Sequence, residues 1–436
     1  MFCFRMLVIL SVITVGCLLV CVRAAFGYEH VLLGEVDVEV YVVALDGVSA
    51  RGVGNITNMV DGVFDASRVN VSSTSIDFPI YGDVRINTTV TVIRDWSTYR
   101  DIVEAGSGII LVNGHGETVP VPSGYTRDAW VDKIAEAMLT RNVTWVHTGG
   151  YPFNYSYLQE GGEQGWGEEG FQRLMSHVGK GAATCYHPRP TEMADMTLDA
   201  GWSVFIYGWY DLANTARVQK GNPLKSSDFK NCTVLAIWGS EDDYMTGAVI
   251  TFAETSSDSG FYVHIGTNQT YDSDNVPTDR DYYRGYAGSA AALWACAWHS
   301  ASKDAISAAN ASIVKAETEG RTKGLEDAKK LLQNAEELLR AIYRNDHGEI
   351  GRLSDLYYSL DTNNGFGTVA LRAIEAGNLA EKAVQPTFLE ANLLLITTIL
   401  IVAGVATTAV IATRHTRNSR KETVKPSEKN KSSRLN

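Results

Sequence analysis

The chain has 436 residues, of which 45% are hydrophobic and 20% are charged, and its formal net charge is −12 at pH 7. This composition is ordinary for a globular domain. The negative charge, together with the lack of a phosphate loop or a basic face in the sequence, argues against a nucleic-acid partner. Six cysteines are too few for a disulfide scaffold, so the fold must depend on a hydrophobic core.

The N-terminal sequence predicts a signal peptide. Arg5 precedes an apolar run over 7–22, and Ala25-Phe26-Gly27 follows with the small residues that signal peptidase prefers. We therefore expect cleavage before Tyr28, with a retained signal anchor as the alternative. Three cysteines remain after residue 27. The pairing of Cys185 with Cys232 is preferred, because Cys296 lies in a predicted buried helix, although the sequence does not decide it.

Residues 28–285 predict an extracellular α/β domain, because strand and helix patterns alternate along them. The strands are expected at 36–45, 90–94, 108–112, 143–147, 202–207, 233–238 and 260–265. The helices are expected at 56–64, 96–105, 127–141 and 168–178. Several strands are continuous apolar runs, so we expect a mostly parallel sheet flanked by helices on both faces.

Residues 286–385 predict a helical region next to the membrane. Two series of apolar residues have heptad spacing: Leu325, Ala328, Leu332, Ala335, Leu339 and Ile342, and then Val369, Ala373, Ala376, Ala380 and Ala383. One series has large side chains and the other small ones, which favours an antiparallel helical hairpin that forms a stalk. A self-contained helical domain packed on the sheet is the alternative. Pro386 is expected to end the last helix.

Residues 391–413 predict a transmembrane helix. They are uncharged, and 23 residues rise by roughly 34 Å, enough to cross a hydrocarbon core of about 30 Å. Residues 414–436 form a basic, flexible tail with eight cations against Glu422 and Glu428, and the positive-inside rule places it in the cytoplasm. The expected topology is single-pass type I, with membrane lipid as the partner of 391–413.

Glycosylation sequons support this placement. The predicted ectodomain contains eight of them, at Asn55, Asn70, Asn87, Asn142, Asn154, Asn231, Asn268 and Asn310, and the tail contains one more at Asn430. Such sequons accept glycan on exposed loops of exported chains. The sequence therefore predicts a glycosylated cell-surface protein, and so many sequons with so few cysteines favour an archaeal cell surface.

Three predicted strands end in polar or glycine-rich loops, where open parallel sheets bind ligands. The loops are 113–117, 147–151 and 239–243. From them we take His115, Glu117 and His147 as candidate catalytic residues. The candidate ligand-binding residues share these loops and are Asn113, Gly114, Gly116, Gly149, Gly150, Tyr151, Glu241 and Asp242. Trp145, Tyr151, Trp166 and Trp238 are candidates for stacking on a sugar ring.

The predicted elements form one pattern: an aliphatic strand, a Gly-rich loop, a helix and a second strand that turns through Gly149-Gly150. This pattern resembles the core of the class I glutamine amidotransferase-like superfamily. Its members are flavodoxin-like and include the trehalose-utilisation type. The resemblance covers residues 34–285. It implies oxyanion-hole amides in the first loop and a nucleophilic cysteine in the second, where this chain has His147. Cys185, close to His187, is the remaining thiol candidate, and His264-Ile265-Gly266 lacks the expected carboxylate.

Two functions follow as hypotheses. The first is a non-catalytic head that binds a ligand, a surface glycan or a neighbouring surface protein. The second is an exported hydrolase in which His115, Glu117 and His147, with the acidic cluster at 241–243, surround a metal or an activated water. No recognised metal-ligand spacing occurs, so no metal and no cofactor is predicted. Receptor-like signalling through the short tail is disfavoured.

Overall fold

The computed structural model describes residues 29–68, 80–177, 194–198, 217–222, 224–225, 232–238, 241–251, 259–271, 279–344, 351–352, 366–386 and 393–422. Several predictions lie outside these ranges. They concern the signal peptide, the strand over 202–207, Cys185, the sequons at Asn70 and Asn231, and the tail from residue 423 onward.

Five parallel strands form the centre of the molecule. In spatial order they are β13 (Phe261–Ile265), β5 (Thr144–His147), β3 (Ile109–Asn113), β1 (Glu29–Val43) and β2 (Ile80–Ile93). Every residue of β3, β5 and β13 is buried, as parallel strands covered on both faces require. The predicted mostly parallel sheet flanked by helices is confirmed for these strands.

Antiparallel strands extend the sheet beyond β13. They are β12 (Glu241–Thr251), β11 (Cys232–Trp238), β8 (Ala194–Leu198), β9 (Arg217–Gly221) and β14 (Thr267–Tyr271). Two-residue strands lie at the side: β10 (Leu224–Lys225) pairs with β12 antiparallel, and β15 (Gly351–Arg352) pairs with β11 in parallel. Glu241 and Asp242 therefore begin a strand that forms a hairpin with β11. Their prediction as part of a strand-end loop is corrected.

A second, small sheet contains β4 (Thr118–Val121), β6 (Tyr155–Leu158) and β7 (Gly162–Gly165). This sheet was not predicted from the sequence. Strand β4 directly follows the loop after β3, and strand β6 directly follows the loop after β5. The small sheet therefore lies next to the carboxyl ends of the parallel strands.

Four helices connect the strands close to the predicted positions. They are α1 (Ile56–Ser67), α2 (Trp96–Ala105), α3 (Arg127–Thr140) and α4 (Glu169–Ser176). The side chains of Asn55, Asp95 and Thr126 cap the first three by accepting hydrogen bonds from backbone amides in the first turn. Side chains of α1 share one core cluster with β1, and side chains of α2, α3 and α4 share a second cluster on the opposite face.

Three helices pack together after the sheet: α5 (Arg280–Thr318), α6 (Leu325–Arg344) and α7 (Phe366–Lys382). The predicted seams of α6 and α7 are buried from Leu325 to Leu339 and from Val369 to Ala383. Both helices pack against buried alanines of α5, so the arrangement has three helices where a hairpin of two was expected. Residue 286, the predicted start of the helical region, lies inside α5, which joins the sheet core without a break.

Helix α8 (Leu393–Glu422) contains the predicted span. Its window Ile396–Thr413 has a mean hydropathy of 2.1 and is not buried anywhere in the structure, so by length and composition it is able to cross a membrane. The helix continues through residues 414–422. The first part of the tail is therefore helical, which corrects the expectation of a flexible tail from residue 414.

Cys296 of α5 gives a prediction about thiol chemistry. Cys296 as a residue is half-buried. Burial of its thiol raises the pKa to about 12, and the sulfur lies 3.2 Å from the Thr144 hydroxyl oxygen. Because the thiolate is the reactive form, we expect iodoacetamide at pH 8 to modify Cys296 only after unfolding. Peptide mapping by mass spectrometry measures this, and rapid modification of the native chain would contradict it.

Candidate functional site

The carboxyl ends of the parallel strands form one rim. His147 at the end of β5 is in register with Asn113 at the end of β3 and with His264 of β13. Val43 at the end of β1 lies opposite Asn113. The loops 113–117 and 147–151 therefore open on the same edge of the sheet, as expected. Strand β11 runs in the direction of β13, because both are antiparallel to β12.

The loops after β1 and β3 are hydrogen-bonded to each other. Between these two strands the order of the sheet reverses, and open α/β sheets bind ligands in the crevice at that point. Here the amide of Gly114 donates to the carbonyl of Val43 at 3.0 Å, and the amide of Glu117 donates to the carbonyl of Arg51 at 2.9 Å. A side chain at Gly116 would lie 2.4 Å from the same Arg51 carbonyl. The loops after β1 and β3 are thus joined by their own backbone groups at this point.

His115 is part of this closure. Its Nε2 accepts a hydrogen bond from the amide of Leu45 at 2.9 Å, and the residue has no exposed surface. Burial lowers the pKa of His115 to about 4, because a charged imidazole would lose its hydration. At neutral pH the ring is therefore an uncharged acceptor for a backbone amide, and Nε2 has no lone pair left for a substrate.

His147 and His264 are stacked in the interior. Their ring centroids are 5.3 Å apart and the planes differ by 8°. The Nε2 of His147 is 3.0 Å from the carbonyl of Gly150, and the Nε2 of His264 is 2.8 Å from that of Asn222, so each Nε2 donates its proton. Burial, and then the neighbouring His264, lower the pKa of His147. Burial lowers the pKa of His264 to about 4.

Glu117 holds the loops after β3 and β5 together. Its carboxylate accepts from the amide of Tyr151 at 3.0 Å and from the side-chain amide of Asn154 at 3.5 Å. Gly150 has a φ of +71°, and a Cβ there would lie 2.1 Å from a carboxylate oxygen of Glu117. Glycine is thus required at position 150, because the Glu117 side chain occupies the space that a Cβ would need. Glu117 retains part of its surface in solvent.

Arg284 is a central residue that the sequence analysis missed. It is fully buried on α5, and it donates to the carbonyl of Gly52 and pairs with Asp281 at 3.8 Å. A Cβ at Gly149 would lie 2.4 Å from the Arg284 guanidinium. The predicted helical region began only at residue 286, six residues after the start of α5, so Asp281 and Arg284 were assigned to the end of the α/β domain and to no helix.

The other predicted ligand residues are also used within the protein. Asn113 donates to the carbonyls of Gly116 and Thr118 at 2.8 and 3.1 Å and accepts from the amide of His115 at 3.2 Å. Gly114, Gly116, Gly149 and Gly150 are all buried. The candidate sugar-stacking rings of Trp145, Tyr151 and Trp166 are buried as well. The side chains of Trp238, Glu241 and Asp242 are outside the described part of the chain.

The structure brings His115, Glu117 and His147 onto one rim, but each has a structural role there: His115 and Glu117 link different loops, and His147 holds its own loop through Gly150. Among the residues with described side chains, no group of three His, Cys, Asp or Glu could hold a metal ion. The sequons at Asn55, Asn87 and Asn310 are exposed, and those at Asn142 and Asn154 are half-buried.

Comparison of the chain with family models, with curated proteins and with solved structures finds no match. The class of protein is therefore described from its fold and its candidate site alone. The chain is an α/β protein with five parallel strands flanked by helices, and it carries near its C-terminus one helix that is long and apolar enough to cross a membrane.

Proposed function

We propose that the chain is a single-pass type I surface protein whose α/β head is a non-catalytic binding domain. One observation carries the non-catalytic part: the crevice between β1 and β3 is closed by hydrogen bonds between its own two loops. A hydrolase needs that position open, so that a substrate can reach the catalytic groups. The partner, a surface glycan or a neighbouring surface protein, then binds to the outside of the head.

The strand order supports a flavodoxin-like fold as part of this proposal. Numbered by chain order among themselves, the parallel strands follow the order 2-1-3-4-5, which is that of flavodoxin-like sheets. Within the amidotransferase-like resemblance, His147 takes the position of the nucleophile. His147 is buried and donates to the carbonyl of Gly150. This structural role supports the proposal that the fold is retained here without the covalent chemistry.

The anchoring part of the proposal depends on α8 and on charge. The apolar window Ile396–Thr413 is followed by Arg414, Arg417, Arg420 and Lys421, and such cations mark the cytoplasmic end of a span. The exposed sequons at Asn55, Asn87 and Asn310 are available for glycosylation on the outer side. Lipid is then the partner of residues 391–413.

The alternative is an exported hydrolase, and Glu117 is the residue on which to test it, because it keeps part of its surface in solvent. We expect the purified full chain to contain no stoichiometric metal by elemental analysis. We also expect wild type, Glu117→Gln and the exposed control Glu160→Gln to give only background hydrolysis of ester, amide and glycoside substrates. Turnover that Glu117→Gln abolishes and Glu160→Gln retains would contradict the proposal.

A further inference from the structure

Two exposed valines mark the end of the helical bundle from which the span continues. Among the described residues outside the span, Val314 and Val384 are the exposed large hydrophobic side chains, at 51% and 53% exposure. Val384 lines an open groove of about 590 Å³, and the charged residues of its lining carry one net positive charge: Lys315, Arg321, Lys382, Glu319 and Glu381. Exposed apolar side chains beside lysines are typical of surfaces that contact the boundary between water and lipid.

The chain before the span is firmly attached to this end of the bundle. The guanidinium of Arg321 donates to the carbonyls of Ala380, Glu381 and Ala383 at 3.0, 2.9 and 3.1 Å. The amide of Lys323 donates to the carbonyl of Val384 at 3.1 Å, and the amide of Val384 donates back at 3.3 Å. Arg321 thereby satisfies the free carbonyls at the end of α7, and the last residues before Pro386 move with the bundle.

The connection to the membrane is short. Helix α8 begins at Leu393, nine residues after Val384. A fully extended chain of that length reaches about 30 Å at most. Once the span is inserted, the groove must therefore stay within this distance of the start of the span. The head has no long stalk that would hold the groove away from the lipid.

We infer that the groove end of the bundle, around Lys315, Lys382 and Val384, rests on the outer membrane surface, with lipid headgroup phosphates as its ligand. The inference depends on the proposed membrane anchoring. The lysine ammonium groups of Lys315 and Lys382 are exposed and have no ion pair within the described residues, so they are available to phosphate. The valines then contact the apolar part of the interface, and the α/β sheet lies on the side of the bundle away from the lipid.

The test uses the full chain in lipid nanodiscs. A fluorophore is attached at Ala311→Cys, in the lining of the groove, or, as the matched control, at Arg340→Cys, and lipids with a nitroxide on the headgroup quench it. Both sites are exposed, but Arg340 is 15 residues along α6 from Leu325, or roughly 22 Å by helical rise. The unsubstituted chain gives the labelling blank. We expect strong quenching at 311 and weak quenching at 340.

A second variant tests the phosphate contact. Lys382→Gln, with the label at 311 and anionic phospholipid in the nanodisc, should lower the ratio of docked to undocked head about fivefold, since one charge near an anionic lipid surface contributes about 1 kcal/mol. Equal quenching at 311 and 340, or no effect of Lys382→Gln, would overturn the inference. So would protection of the 311 label from a soluble quencher without lipid quenching, because a second copy would then cover the groove. Failure of the chain to enter nanodiscs would instead overturn the membrane anchoring itself.

Discussion

Replacing Gly62 by alanine is expected to lower the free energy of unfolding by about 3 kcal/mol, although alanine normally stabilises a helix by about 1 kcal/mol relative to glycine. Gly62 of α1 faces α5, and a Cβ there would lie 2.1 Å from the carbonyl oxygen of Tyr282. Gly285 of α5 faces α1 in the same way, with its Cβ position 2.2 Å from the carbonyl oxygen of Met59. The two backbones touch, so the helices must separate to admit a methyl group.

The matched control is Gly377→Ala in α7. Gly377 is also a helical glycine, but its Cβ would meet Ala309 at an ordinary contact distance of 3.6 Å. We expect this substitution to be neutral or stabilising. Denaturant unfolding of the full chain in detergent, followed by tryptophan fluorescence, compares the variants. If Gly62→Ala is as stable as Gly377→Ala, the close crossing of α1 and α5 is wrong.

The folded head should lose stability between pH 6.5 and pH 4, before most carboxylates titrate. His115 and His264 each have a folded pKa of about 4, against an ordinary value of 6.5, because both are buried. Above pH 6.5 the folded and unfolded chains are both neutral at these residues, so the histidines have no effect there. Below pH 6.5 the unfolded chain binds protons at these histidines and the folded chain does not, so the free energy of unfolding falls.

The size of this loss follows from the shifts. Each of the two histidines lowers stability by up to about 3 kcal/mol once the pH has fallen to about 4. The lowered pKa of His147 adds to the loss in the same direction. Unfolding free energies at pH 7.5 and 5.0 measure the effect, and His264→Gln should reduce the dependence on pH, since its amide can still donate to the Asn222 carbonyl. The control is His177→Gln, on an exposed residue. Equal stability at both pH values would contradict the account.

The sequence was sufficient to predict the parts of the fold that depend on local patterns. Helix α2 was expected at 96–105 and runs from Trp96 to Ala105, because the Asp95 side chain caps its first turn and its apolar residues repeat with the helical period. Strands β3 and β5 were expected from their continuous apolar runs. Strand β12 was missed because it begins with Glu241, Asp242 and Asp243, and such residues rarely begin strands.

The hydrogen-bond partners of the rim residues could not be predicted from local sequence patterns. The sequence placed His115, Glu117 and His147 near one another correctly, because parallel strands end on the same edge. It gave no sign that their partners are backbone groups of other loops. The His115 partner is Leu45, 70 residues away, and the amide partner of Glu117 is Tyr151, 34 residues away. Glycines that suggest a ligand site in sequence can equally be required by a buried side chain, as Gly149 is by Arg284.

The orientation of the chain in the membrane is the central claim, and protease treatment of intact cells tests it most directly. An epitope tag at the C-terminus follows the tail. We expect external protease to digest the head and to leave a short tagged fragment that contains the span and the tail, protected until the cells are lysed. A head that stays intact in whole cells and is digested only after lysis would contradict the account.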